Sequence, residues 1–283
     1  MRLWNGWGNE DSDLTMELSD GLRALLEALV GPGNSLSQAT LNEVIAKVPK
    51  TRLDNHPLIN IDPETRVRHA RGQSLPDWLE MHSGNIDTFP DGVAFPESSE
   101  QVRELLAHAK ENYLVVIPYG GGTSVVGHIN PETSDKPILT IDMGKMNSML
   151  SIDTESQLAT FGAGTPGPIV EEELKKHGYT LGHFPQSWEL STLGGWVASR
   201  SSGQQSLHYG RIENMFAGGT IETLNGSMKI LTIPASSAGP DVREMILGSE
   251  GRIGIITEVT VRITPLPEKE KFQVVFFPSW EIG

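Results

Sequence analysis

Three consecutive glycines followed by two hydroxyl residues stand at Pro118-Tyr119-Gly120-Gly121-Gly122-Thr123-Ser124. Glycines let a backbone turn sharply and approach another group closely. Successive backbone N–H groups in such a turn form a concavity that can hold an anion, and Thr123 and Ser124 add hydroxyl donors. The arrangement suits a diphosphate bound without lysine. It lacks the Gly-Lys-Ser/Thr of a Walker A loop, and its glycine spacing does not open a helix as a Rossmann fingerprint does. Taken alone, it fits an ordinary glycine-rich loop equally well.

Two further segments are dense in small and hydroxyl residues. The first runs from Gly182 to Gly203 and contains Gln186-Ser187-Trp188-Glu189-Leu190-Ser191-Thr192, then Leu193-Gly194-Gly195-Trp196, then Ser199-Arg200-Ser201-Ser202. Ser191 or Thr192 is placed to cap a helix beginning at Leu193, with its N-terminus aimed at an anion. A tightly packed turn and helix would read the same way. The second is Glu250-Gly251-Arg252-Ile253-Gly254-Ile255-Ile256, a glycine turn feeding an apolar strand. His183 is the one acid–base candidate near these motifs, weighed against a histidine satisfied by backbone hydrogen bonds.

The elements that must position these residues change character along the chain. The first 89 residues read as an α-rich arm. Ser19 caps a helix with Leu22, Leu25, Leu26 and Leu29 on one stripe, and Gly31 ends it. A second helix is expected from about Gln38 to Pro49, a linker from Lys50 to Gly72, and a short helix around Pro76–His82. Ser98 with Gln101 signals a capped helix burying Val102, Leu105, Leu106 and Ala109, and buried strands are expected at 114–118 and 138–141. Strands at 148–152 and 158–161 follow, then a helix capped by Thr165 and ended by Gly178. Asn225-Gly226 marks a hairpin. A helix at 241–247 and strands at 253–263 and 272–277 complete the reading.

Composition removes several classes of function. The chain has 283 residues, room for one large domain or two small ones at about 100–200 residues each. Lys and Arg number 22 against 36 Asp and Glu, a net charge of −14, which argues against a nucleic-acid partner. With no cysteine, disulfides, thiolate metal sites, a Cys nucleophile and a cysteinyl cofactor link are excluded, and no metal is expected. No apolar run approaches the roughly 20 residues of a membrane span, and the start carries no secretory h-region.

The three motif segments, in this order between Pro90 and Pro265, resemble the PCMH-type FAD-binding domain of the vanillyl-alcohol-oxidase family. Within it, Trp4-Asn5-Gly6-Trp7-Gly8, Leu190-Ser191-Thr192-Leu193-Gly194-Gly195-Trp196-Val197, Tyr209-Gly210-Arg211-Ile212-Glu213-Asn214 and Met245–Gly251 are similar to the alkylglycerone-phosphate (alkyldihydroxyacetonephosphate) synthase subfamily. The resemblance implies an α+β fold, a two-subdomain FAD-binding domain over 90–267 preceded by the helical arm 1–89. It carries FAD contacts to Pro118–Ser124, Gln186–Thr192, Ser199–Ser202 and Glu250–Ile256. Gln186 stands where the family commonly has Asp, and Arg252-Ile253 where it has Thr-Leu; no loop glycine is lost. Without a His in the glycine run and without Cys, FAD is expected to be held non-covalently. His183 aligns with a family histidine near the flavin.

The resemblance further implies exchange of an acyl group on acyl-dihydroxyacetone phosphate for a fatty alcohol, giving an ether lipid without net redox. The alternatives are oxidation of a 2-hydroxy acid, such as D-lactate or glycolate, and a non-catalytic flavin-binding module that needs a partner chain. Residues 268–283 are expected to begin a cap domain whose remainder would hold the small-molecule or lipid substrate. The expected location is cytoplasmic, with membrane association only through a lipid substrate. Self-association is compatible with the sequence, which sets no oligomeric state.

Overall fold

A computed structural model describes residues 2–11, 18–34 and 37–283. The arm contributes α1 (Asp20–Val30), capped by Ser19 as expected, and α2 (Leu41–Ile45). The second helix is shorter than its apolar spacing suggests. Thr40 and Glu43 form a reciprocal capping box that fixes its start, so the helix cannot begin at Gln38. The expected linker 50–72 holds two elements, β1 (Ile59–Asn60) and α3 (Pro63–Arg68). Asp62 caps α3 and a proline opens it, a start signal that one and a half turns leave too little periodicity to reinforce. Next comes α4 (Leu75–Ser83), capped by Ser74 and Asp77. Val44, Val67, Ala70, Met81, Ile86 and Phe89 form the arm's core, with Trp4 packed against it.

The first sheet forms next, from β2 (Gly92–Ala94), α5 (Ser99–Glu111), β3 (Val115–Tyr119) and β4 (Ile138–Asp142). Its order is β1-β2-β4-β3. Both β2 and β3 run parallel to β4, and β1 from the arm adds antiparallel to β2. Because β3 and β4 are parallel, the chain must cross over between them, and the glycine motif occupies the start of that crossover. A ligand site at the carboxyl end of a parallel strand is the usual placement in such sheets.

The second half is antiparallel, as its alternation suggests. It comprises β5 (Met149–Asp153), β6 (Leu158–Gly162), α6 (Gly167–Lys176), β7 (Tyr179–Thr180), α7 (Leu193–Ser199), α8 (Ser206–Tyr209), α9 (Ile212–Met215), β8 (Phe216–Thr223), β9 (Gly226–Ile230), α10 (Val242–Ile246), β10 (Ile255–Arg262) and β11 (Thr264–Pro265). The sheet order is β5-β6-β10-β8-β9, while β11 pairs with β7. Thr165 does not cap α6. Its hydroxyl donates to the Gly162 carbonyl at 2.7 Å, and Pro166 occupies the cap position. The hairpin at Asn225 forms with Thr223 opposite Gly226, so its two-residue loop is Leu224-Asn225. Residues 272–277 make no strand. Their side chains are exposed and no described strand lies alongside to complete a ladder.

Helix α5 joins the halves. It packs on β3 of the first sheet and on β8 and β10 of the second. Its four expected core residues are all buried, and Arg103 reaches the fully buried Glu222 of β8 at 2.9 Å. Among the described residues no helix is long and apolar enough to cross a membrane.

Candidate functional site

The three motif segments, distant in sequence, meet at one cleft of ≈ 310 Å³. Side chains and backbone of Pro118–Ser124 line it, together with Ser187, Ser191, Thr192, Ser199, Ser201, Glu250, Gly251, Gly254, Ile255 and Ile256. Close backbone approach holds the segments together. A Cβ at Gly121 would overlap the Leu190 carbonyl oxygen and stand 2.8 Å from Ser191 Cα. A Cβ at Gly251 would lie 2.7 Å from Pro118 Cγ. The Gly248 and Glu250 amides donate to the carbonyls of Val197 and Ala198 on α7 at 3.1 and 2.9 Å.

The donors sort into engaged and free. The first amides of α7 are engaged: Leu193 donates to Thr165 O (2.9 Å), Gly194 to Ala163 O (2.8 Å) and Gly195 to Thr192 Oγ1 (3.3 Å). Thr192, not Ser191, is the cap; Ser191 Oγ instead accepts from Trp196 Nε1 at 2.7 Å. The helix start therefore shapes the wall and is not aimed at an anion. By contrast, the amides of Gly121, Gly122 and Thr123 have no acceptor among the described residues. Gly122 is buried and Gly121 and Thr123 are half-buried in the cleft lining, so their unpaired amides are candidate donors to an anion. Gly122 holds φ +67, and a Cβ there would overlap the Tyr119 phenol folded beneath the loop. Burial pushes that phenol's pKa up to about 12, so it stays neutral.

Among the described residues no lysine or arginine lines the cleft, and the carboxylate there is Glu250, held at φ +51. Its neighbour is His128, whose Nδ1 lies 3.9 Å from Glu250 Oε1 and 3.2 Å from Ser124 Oγ. Burial lowers the His128 pKa while Glu250 pulls the other way. Sequence reasoning passed over His128, although it stands only six residues beyond Gly122. It also passed over Val125, Val126, Ile129, Met143 and Ala163, which line the cleft too.

Several sequence candidates lie outside the cleft. Gln186, Glu189, Ser202 and Arg252 are exposed, and Ile253 packs into the core of the second sheet. The Trp188 ring lies tilted against Phe184 at 5.6 Å and covers Gly167. Leu190 contributes its backbone against Gly121. Arg200 ends α7 in the left-handed region and pairs with Glu213 (2.8 Å) and Glu244 (2.9 Å). Its charge belongs to an ion-pair network and not to the cleft.

His183 is 1% exposed and does not line the cleft. Its Nε2 bonds Ser201 Oγ at 2.7 Å, its ring meets Trp196 edge-on at 5.0 Å, and its Nδ1 is buried without a partner. Burial pushes its pKa down to about 4, so it is neutral near pH 7 and is a poor proton donor there. The unfolded ring binds a proton below its ordinary value of 6.5 while the folded ring does not, so its contribution to stability is complete above 6.5 and is lost as pH falls toward 4. Urea unfolding of the wild type should weaken over that window, and His183→Gln should flatten the decline. An equal decline in both proteins would remove His183 as its source.

A protein-family model described as an FAD binding domain matches residues 90–232. The alkyldihydroxyacetonephosphate synthase of Caenorhabditis elegans is 32% identical over 309 residues, which cover 99% of this chain and 52% of that protein. The Trypanosoma brucei brucei enzyme of the same name is 39% identical over 229 residues, covering 80% of this chain and 37% of that protein. A solved structure of an alkyldihydroxyacetonephosphate synthase superposes with a TM-score of 0.83 at 31% identity, covering 95% of this chain and 54% of that one. The chain thus spans about half the length, or less, of these relatives. The matched region spans about half of the chain and includes both the glycine loop and the α7 segment that it touches, so the chain belongs to the PCMH-type FAD-binding domain family.

Proposed function

We propose that this chain supplies the FAD-binding part of an alkylglycerone-phosphate-synthase-type enzyme, which exchanges the acyl group of acyl-dihydroxyacetone phosphate for a fatty alcohol. One observation carries the reading: Gly121, Gly122 and Thr123, whose amides have no acceptor among the described residues, line a cleft that the α7 and β10 segments close. They offer donors of the right sign to the non-bridging oxygens of a diphosphate, and the hydroxyls of Thr123, Ser124, Ser187, Thr192, Ser199 and Ser201 extend the polar lining along the cleft. Ile255, Ile256, Val125 and Val126 supply apolar wall that excludes water from a flat ligand. When bound, FAD supplies a ring system that accepts an electron pair from a substrate and returns it. His128 Nδ1, beside Ser124 and Glu250, is the group on this chain placed to hold or move a proton at the cleft.

The reading divides the chain into an arm (1–89), a cofactor unit (90–267) and the beginning of a further unit (268–283), with substrate recognition carried by a part of the enzyme beyond the cofactor unit. The exposed side chains of Phe272, Val274, Phe276 and Trp280 support a segment that packs on something more. The proposed compartment is the cytoplasm, and the proposed attachment is non-covalent. Purified protein should be yellow, or become so on adding FAD, and should release all flavin on acid precipitation. Flavin retained by the denatured chain would overturn non-covalent attachment and point to His128, the cleft histidine. Failure to take up FAD at all would overturn the function.

A further inference from the structure

The Trp-Asn-Gly-Trp-Gly element near the start has no part in the cleft, yet the structure ties it to the loop that has. Residues 2–9 fold back on themselves. Arg2 and Asn9 form an antiparallel bridge, Leu3 N donates to Gly8 O at 3.0 Å, and Gly8 turns at φ +99. Trp4 anchors this turn in the arm's core, and Arg68 fastens it by donating to Arg2 O at 2.8 Å and to Glu10 Oε1 at 3.2 Å. With its backbone so fixed, Arg2 donates from Nη1 to the carbonyl of Gly121. The arm grips the other end of the loop as well. Gln73 N donates to Ser124 O at 2.6 Å, and Gly72 leaves the room for it, since a Cβ there would stand 2.5 Å from that oxygen. Asn130 holds Gly72 N at 2.9 Å and is itself held by Asp77 at 2.6 Å.

A trans peptide points its C=O and the following N–H in opposite directions. Drawing the Gly121 carbonyl toward Arg2 therefore turns the Gly122 amide the other way, to the face from which the protein offers it no acceptor. The Ser124 carbonyl, drawn toward Gln73, acts likewise on the Val125 amide. Arg2 also places a positive charge one carbonyl behind a cleft that has no lysine or arginine in its lining.

We infer that the N-terminal arm is a clamp on the anion cradle, in which Arg2 is a positioning residue that holds the Gly121 peptide with its neighbouring amide turned to the cofactor diphosphate. The inference rests on the proposal that this loop binds FAD. It predicts selectivity, because a residue that orients amides toward a diphosphate matters for FAD and not for riboflavin, which has none. The affinities of the full chain for both ligands, read by flavin fluorescence, make the test. Arg2→Ala should weaken FAD binding roughly tenfold, the scale of one hydrogen bond to a charged donor. Riboflavin affinity should stay at the wild-type value, and Arg2→Lys, which keeps a charged donor, should recover part of the loss. FAD affinity unchanged in Arg2→Ala, or an equal fall for both ligands in Arg2→Ala and Arg2→Lys, would overturn the clamp and leave Arg2 as a fastening of the arm. A wild-type chain that binds riboflavin no more weakly than FAD would instead overturn the cradle itself.

Discussion

Gly121→Asp is expected to abolish FAD uptake at micromolar ligand, a loss of at least about a hundredfold in affinity, while leaving a folded protein. Two costs add. The new Cβ overlaps the Leu190 carbonyl and crowds Ser191 Cα at 2.8 Å, and both obstacles are backbone that cannot swing aside. Forcing atoms into a packed contact of this kind costs about 1–3 kcal/mol. The carboxylate then stands in a cradle whose free amides suit an anion, and a second negative charge about 4 Å away adds roughly 4 kcal/mol at an effective dielectric of 20. Gly121→Ala isolates the first cost and should fall between wild type and Gly121→Asp. Titration of the three proteins with FAD gives the order directly. Equal affinities for Gly121→Ala and Gly121→Asp would show that no anion sits there, and wild-type affinity in both would remove the loop from the site.

The glycine run advertised this site because its meaning is local: residue type alone permits the turn and the close approach. The same holds for α5, where Ser98 caps the helix and each of Val102, Leu105, Leu106 and Ala109 is buried as the 3.6-residue spacing requires. What the sequence hid depends on contacts between distant residues. Nothing around Leu193 says that Thr165 and Ala163 already hold the α7 amides, so the helix start looked like a second anion site. The apolar run 272–277 has strand-forming residues, but a strand is defined by its neighbour and the described chain offers none. β1 is two residues long and exists because Val93 and Ala94 lie opposite. His183 carries the right residue type beside the right motif, yet it is buried behind the cleft wall with its pKa lowered, while the unremarked His128 reaches the cleft.

These differences share a direction. Local signals located the cradle's material, and the tertiary contacts decide which of its polar groups remain available to a ligand. Engaging the α7 amides internally makes that wall rigid and leaves the loop amides as the open donors. The loop is held from behind by the arm as well as by its packing on Leu190, Ser191 and Tyr119 within the cofactor unit. The arm joins the first sheet through β1 and hydrogen-bonds the loop at Gly121 and Ser124, although its sequence carries none of the cofactor motifs.

The far end of the same crossover is tied to the arm through Arg52 and Asp91. Asp91 accepts from Arg52 Nε (3.0 Å), Nη2 (2.7 Å) and N (3.1 Å) and from the Ile138 amide (2.8 Å). Arg52 continues to the carbonyls of Ser134 and Lys136 at 2.7 and 3.0 Å. The network thus ties the arm to the residues through which the crossover enters β4. Asp91→Ala would leave the Ile138 amide unpaired in the interior and Arg52 without its anion. Arg52 is 43% exposed, which moderates the second cost, so the expected loss is about 3 kcal/mol of folding stability. Burial alone would raise the Asp91 pKa, but the Arg52 guanidinium and the two amides together outweigh it and hold the carboxyl below its ordinary 3.8. A depressed carboxyl stabilises the fold fully above its unfolded value and loses that contribution as pH falls through the folded one. The stability gap between wild type and Asp91→Ala, measured by urea unfolding, should therefore be widest near pH 7 and narrow below about pH 4. A gap of the same size at pH 3 would mean that the charge of Asp91 contributes nothing and that only its volume is missed.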